Sequence, residues 1–326
     1  MAVYTEVDAA AAAQLLARCD AGALRSLRGC ESGIENTNYF VDSDRGEWVL
    51  TVFERLGFEQ LPFYLGLMRH LARKGLPVPA PRTDAAGNFL HAIGGKPAAL
   101  VNRLPGASIE APMLAHCSLL GVTLAHLHEA AMDYPARQPN LRGLDWWERT
   151  IPTVTPHVGP ALAARLAEEL AFQQRFHAAA STRALPAGPV HADLFRDNAL
   201  FDGPPESPRL SGVFDFYFAG VDYHAYDLAV CVNDWCIDPD TGRLEPEHAE
   251  ALLRAYHLHR PMSAAELRAL PAMRRAAALR FWLSRLADWH LPRQAALLKA
   301  KDPAHFERVL FDCVEQPWHP SLDIPA

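Results

Sequence analysis

VHADLFRDNALF, residues 190–201, followed by SGVFDFYFAG, residues 211–220, is the stretch on which the fold turns. Apolar flanks at Val190, Ala199–Phe201 and Val213–Phe214 read as short strands, and the polar residues fall on loops at strand ends. Loops held by a rigid scaffold are where chemistry concentrates. His191, Asp193 and Asn198 carry the spacing HxDxxxxN, and Asp215 follows an apolar strand. This set suits phosphoryl transfer. A hydroxyl needs a carboxylate to take its proton, which makes Asp193 the candidate base. A magnesium ion needs hard oxygen ligands, which a carboxylate and an amide carbonyl supply. Asn198 and Asp215 are the candidates for that task, with positioning and cations supplying most of the catalysis.

The first motif alone is suggestive only. Three fixed letters at about 1 in 20 each arise by chance in about 1 in 25 chains of 326 residues. The plain alternative is that His191, Asp193 and Asn198 merely cap a turn, as Asp and Asn often do. Asp215 and the organisation upstream argue against coincidence. Residues 22–55 alternate and break twice, at Ser32–Gly33 and Asp42–Gly46, which predicts a three-stranded antiparallel meander. A helix over 8–19 precedes it, with Asp8 as its cap, and one over 59–74 follows. Strands are expected at 89–93 and 97–104. Beyond Leu104–Pro105–Gly106 the texture turns helical, at 112–130, 158–180, 246–258, 272–290 and 302–314, around a strand-rich patch at 188–216. The pattern is α+β: a β-rich lobe over 1–104, then a larger, mainly helical lobe over 105–326.

Bulk composition removes other classes. The net charge is −7, with no basic run, so a nucleic-acid partner is not expected. No stretch is apolar enough for a membrane span and no signal peptide is expected. The six cysteines form no CxxC pair and read as free buried thiols in a cytoplasmic protein. The 31 basic residues include only four lysines, Lys74, Lys96, Lys299 and Lys301.

HADLFRDN and VFDFYFAGVDYHAYDLA are similar to the catalytic loop and metal-binding segment of the aminoglycoside phosphotransferase and choline kinase group. That resemblance runs over nearly the whole chain and implies a two-lobed, protein-kinase-like fold. GIENTNYFV (33–41), LPFYLGLMRHLARKGLPVPAP (61–81), GKPAALVNRLPG (95–106), VNDWCID (232–238) and FWLSRLADW (281–289) resemble, more narrowly, the bacterial homoserine kinase branch. The resemblance implies ATP and Mg2+ as cofactors and L-homoserine as the small-molecule acceptor. It implies Asp193 as base, Asn198 and Asp215 as metal ligands, and His191 as orienter of the loop. Asp227 would brace that loop from the following helix, or be an ordinary carboxylate at a helix N-terminus.

On the nucleotide side, SGIENTN stands where a phosphate-covering loop belongs, with Gly33, Thr37 and Asn38 as candidate contacts. A plain hairpin turn is the alternative. The resemblance places backbone around Val101 and Arg103 against adenine. Kinases carry a third-strand lysine paired with a helix glutamate. Here Thr51 and Tyr64–Leu65 fall at those places, so that ion pair is missing. A homoserine pocket needs a cation near the carboxylate and an anion or aromatic face near the ammonium. Arg196, Asn233, Asp234, Trp235 and Arg285 are the candidates, with Arg280, Trp282, Asp288 and Trp289 offered on the same helix as Arg285. Against this, tryptophans on such helices are mostly core and arginines mostly surface-paired. Rival readings at this point are a kinase of another amino alcohol or an aminoglycoside, a nucleotide-binding module without catalysis, and a metal-dependent hydrolase.

Overall fold

The computed structural model describes residues 5–30, 36–291 and 301–322. Helix α1 (Ala9–Arg18) starts where Asp8 accepts the Ala11 N–H at 2.7 Å. Such a cap satisfies one of the unpaired donors of a helix start. Strands β1 (Leu24–Gly29), β2 (Thr37–Ser43) and β3 (Gly46–Val52) form the meander, and α2 (Leu61–Arg73) follows. Strands β4 (His91–Ile93) and β5 (Lys96–Asn102) complete an antiparallel sheet in the order β1-β2-β3-β5-β4.

Alternation decides the two faces of this sheet. Tyr39 and Val41 of β2, Trp48, Leu50 and Val52 of β3, and Ala98 and Leu100 of β5 form one apolar layer with Ala12, Leu15 and Leu16 of α1. The opposite parity puts Asn38, Thr51 and Ala99 on the other face, with Thr51 in register with both neighbours. At the end of the sheet, Glu54 accepts the hydroxyls of Thr5 and Thr37 at 2.6 and 2.7 Å and pairs with Lys96.

The remainder is mainly helical: α3 (Leu114–Ala131), α4 (Leu144–Val154), α5 (Pro160–Ala178) and the short α6 (Ala180–Arg183). Then come β6 (Ala187–Val190), β7 (Ala199–Asp202), β8 (Arg209–Val213) and β9 (Gly220–Tyr223). Helices α7 (His224–Trp235), α8 (Pro246–His259), α9 (Ala264–His290) and α10 (Ala304–Glu315) close the chain. The α+β arrangement expected from sequence is therefore present.

Two helices depart from the expected pattern. Helix α9 begins at Ala264, not 272, because Ser263 and Glu266 form a reciprocal capping box that outweighs the interior Pro271. Helix α4 was not anticipated. Pro152 argues against it in sequence, yet Trp147, Ile151 and Val154 bury one stripe.

The chain divides into two compact units. The first comprises Met1–Ala107 with Leu200–Asp202 and Ser211–Tyr217; the second comprises Ser108–Ala199, Gly203–Leu210 and Phe218–Ala326. Among the described residues no helix is long and apolar enough to cross a membrane.

In the second unit, α3 and α8 approach so closely at Gly121 that an added Cβ would lie 2.2 Å from the Leu252 carbonyl oxygen. A backbone atom cannot yield as a side chain can, so Gly121→Ala is expected to lower stability by about 1–3 kcal/mol. Chemical denaturation checks this; an unchanged midpoint would show that the helices separate freely.

Candidate active site

The loop after β6 is built from α7. Pairing of β6 with β9, Val190 opposite Gly220 and Ala187 opposite Tyr223, sets the start of α7 beneath the loop. Asp227, fully buried on the first turn of α7, accepts the N–H groups of His191 at 2.9 Å and Ala192 at 2.7 Å. Its Oδ2 also meets His128 Nε2 at 3.0 Å, and His128 Nδ1 meets the Tyr256 hydroxyl at 2.7 Å. Burial pushes the Asp227 carboxyl upward. The His128 hydrogen bond, the histidine fields and the His191 N–H outweigh that and hold it below the usual carboxylate range.

Two turns further along α7, Asp234 accepts the Arg196 N–H at 2.8 Å and Arg196 Nε at 3.2 Å. Trp235 Nε1 donates to the Leu194 carbonyl at 2.9 Å. Phe195 packs against Phe281 and Phe306, with ring centroids 4.3 and 5.7 Å away. The loop backbone is thus tied down on both sides of Asp193.

Within the loop, the Asp193 N–H donates to His191 Nδ1 at 3.3 Å. Asn198 Nδ2 donates to the Asp193 carbonyl at 2.8 Å and to Asp193 Oδ2 at 3.3 Å. The amide therefore turns its nitrogen toward Asp193, which leaves its carbonyl oxygen as the face available to a cation. Ala192 has φ +62°. A left-handed non-glycine residue there carries strain of order 1–3 kcal/mol, which the surrounding bonds hold in place. Arg280 of α9, 4% exposed, brings Nη2 to 3.8 Å from Asp193 Oδ1.

Asp215 lies in the first unit, two residues beyond β8, where Val213 donates its N–H to the Pro77 carbonyl at 2.7 Å. Its φ is +64°, the second left-handed non-glycine residue of the site segments. Burial and the Asp215 charge push the phenol of the neighbouring Tyr217 well above its ordinary range, so it stays protonated. The Thr51 hydroxyl donates to Asn38 Oδ1 at 2.7 Å. Tyr64 and Phe53 meet the Tyr217 ring at 6.3 and 4.9 Å between centroids, both nearly perpendicular. Thus the third-strand and helix places that hold a lysine and a glutamate in protein kinases carry neutral polar and aromatic side chains here.

Several expected contacts fall elsewhere. Gly33 lies outside the described residues. Thr37 is fully buried, and its hydroxyl donates to Glu54, so it faces the core of the first unit and not a phosphate. Asn38 has its Oδ1 engaged by Thr51. Val101 sits inside the sheet between Val49 and Pro81, and the Arg103 N–H is taken by the Glu47 carbonyl at 3.0 Å. The Val101 backbone and the Arg103 N–H are thus engaged within the sheet.

The acceptor candidates all have partners within the protein. Asn233 is fully buried, donating to the Arg274 carbonyl at 2.7 Å and accepting Arg274 Nε at 2.9 Å. Trp235 supports the loop from behind. Arg196 and Asp234 bind one another, and Arg196 Nη1 reaches the Glu110 carbonyl at 2.8 Å. Arg285 donates to the Asp302 carbonyl at 3.0 Å and stacks over Phe306 at 4.5 Å. Helical spacing alone does not say which polar residue points at a ligand and which points at the core.

A model of the phosphotransferase enzyme family matches residues 26–279, and the chain belongs to that family. A homoserine kinase of Polaromonas naphthalenivorans is 54% identical over 318 residues, 98% of this chain and 99% of its own. A homoserine kinase of Ralstonia nicotianae is 52% identical over 331 residues, 100% of this chain and 99% of its own. Within the family, the chain groups with the homoserine kinases. Among solved structures, an amicoumacin kinase aligns with TM-score 0.67 at 16% identity, over 93% of each chain. A microcompartment-associated aminopropanol kinase aligns with TM-score 0.66 at 20% identity, over 94% of this chain and 95% of that one. These two share the fold.

The Thr51–Asn38 hydrogen bond makes a measurable claim. Thr51→Val and Asn38→Ala each remove one end of that bond, and each is expected to cost about 1 kcal/mol. The double variant is expected to cost less than the sum by about 0.5–1 kcal/mol, as residues in contact couple. Strict additivity in a denaturant double-mutant cycle would show that the two side chains do not interact.

Proposed function

We propose that the protein transfers the γ-phosphoryl group of ATP to the side-chain hydroxyl of L-homoserine, giving O-phospho-L-homoserine and ADP, in the route to threonine. The observation that carries this reading is the near-complete, full-length match to homoserine kinases. The bond between the γ-phosphorus and its bridging oxygen breaks, and a bond from the homoserine oxygen to that phosphorus forms. The hydroxyl proton passes to Asp193.

In this reading each part of the loop has a task. Asp193 orients the hydroxyl and takes its proton as the new bond forms. His191 accepts the Asp193 N–H, and Asn198 holds the Asp193 carbonyl, so the carboxylate is set before the acceptor arrives. Asn198, through its carbonyl oxygen, and Asp215 would hold magnesium. The amide orientation and the hard oxygen donors of the pair fit that ion. Magnesium, when bound, neutralises charge on the phosphate oxygens. The first unit is the nucleotide-binding part, and the second carries the base and the acceptor pocket. With the lysine position filled by Thr51, the cations left for phosphate are the metal and arginine, alongside backbone donors.

A coupled ADP-release assay tests the reading. L-homoserine is expected to support turnover well above the acceptor-free rate, and Asp193→Ala is expected to reduce it by about 10²–10⁴-fold with little change in melting temperature. ADP formation independent of acceptor would identify a hydrolase instead. Turnover with an aminoglycoside and none with homoserine would overturn the substrate.

A further inference from the structure

Arg280, which the sequence offered only as one of several residues on a helix near the acceptor, lies beside Asp193. It lies on α9 and is 4% exposed, and its Nη2 is fully buried without a hydrogen-bond partner. Its guanidinium lies over the rings of Phe281 and Phe218, at 3.8 and 4.7 Å from their centroids. These faces position the group flat and keep it from water. The nearest carboxylate oxygen, Asp193 Oδ1 at 3.8 Å, is beyond hydrogen-bond reach. A buried guanidinium donor without an acceptor is costly, and such groups call for an explanation in the chemistry of the site.

The other basic candidates of the second unit are engaged. Arg196 is held by Asp234 and Glu110, Arg285 by Asp302, and Arg274 by Asn233. Arg280 alone among these four has its charge turned toward the base. A guanidinium binds a carboxylate through two parallel N–H donors. In homoserine, three carbons join the hydroxyl oxygen to the carboxylate. A hydroxyl held at Asp193 therefore carries its carboxylate into the neighbourhood of a cation placed next to Asp193.

We propose that Arg280 binds the α-carboxylate of the acceptor and is the residue that selects an amino acid over an amino alcohol. This inference rests on the reading of the protein as a homoserine kinase. The same site without Arg280 would still hold a hydroxyl at Asp193 but would lose its preference for a carboxylate.

The test compares L-homoserine with 3-amino-1-propanol, which keeps the hydroxyl and the amine and lacks the carboxylate. Wild-type enzyme is expected to favour homoserine in kcat/KM by about 100-fold or more, the scale of discrimination by a buried polar contact. In Arg280→Met, the KM for homoserine is expected to rise by about 100-fold, while kcat/KM for 3-amino-1-propanol changes by less than about 3-fold. Arg280→Lys is expected to recover part of the homoserine KM, as a point charge replaces the fork. If Arg280→Met does not fold, the lysine variant and the wild-type acceptor ratio still decide.

Equal losses on both acceptors would place Arg280 on the transferred phosphate or on Asp193 itself, and would overturn the proposal. An unchanged homoserine KM, or a wild-type enzyme that does not discriminate, would do the same. A wild-type enzyme that turns over neither acceptor would instead contradict the kinase reading on which this inference depends.

Discussion

The site depends on two carboxylates of one helix. Asp227 and Asp234 stand seven residues apart on α7, two turns, so they share a face. Asp227 takes the N–H groups of His191 and Ala192, and Asp234 takes that of Arg196. One helix thereby fixes the loop on either side of Asp193. Neither acid could be buried alone, since an unpaired buried carboxylate is strongly disfavoured. Asp227 is compensated by two backbone donors and His128, and Asp234 by Arg196. The loop needs partners for its N–H groups and the helix needs partners for its carboxylates, so each requirement meets the other. The strained Ala192 backbone is tolerable for the same reason: two hydrogen bonds to Asp227 flank it.

How much of this is readable in sequence follows from the range of each interaction. The meander and α1 are local patterns of alternation and capping, and they stand in the structure as read. Asp227 was visible through its resemblance to a known segment, with two tasks open to it. Polar and aromatic residues on one helix look alike in sequence whichever way they point. The contacts Asp234 and Trp235 make with Arg196 and Leu194 are set by tertiary packing. Thr37 illustrates the same limit, since its hydroxyl turns inward to Glu54, a partner seventeen residues away. The start of α9 is carried by a local signal, the capping box of Ser263 and Glu266, with Pro271 inside the helix.

The scarcity of lysine gains a physical setting. Where a lysine–glutamate pair is absent, the first unit has the Thr51–Asn38 hydrogen bond and the ring of Tyr217 packed on Tyr64 and Phe53. Neutral groups there avoid the desolvation cost of a buried ion pair, and the ring contacts of Tyr217 hold the segment that carries Asp215. Lys96, on β5, is engaged by Glu54 at the edge of the sheet. Arginine supplies the cation nearest the base in the second unit. A guanidinium keeps its charge when buried more dependably than an amine does.

The central claim is that a hydroxyl held at Asp193 receives the phosphoryl group of ATP and that the hydroxyl is homoserine's. Phosphorus NMR of a reaction containing enzyme, ATP, magnesium and L-homoserine tests it most directly. The account predicts a new phosphomonoester resonance, split by the two protons of the adjacent methylene, growing as the γ-phosphate signal of ATP declines. Growth of inorganic phosphate alone, or no loss of ATP, would contradict it.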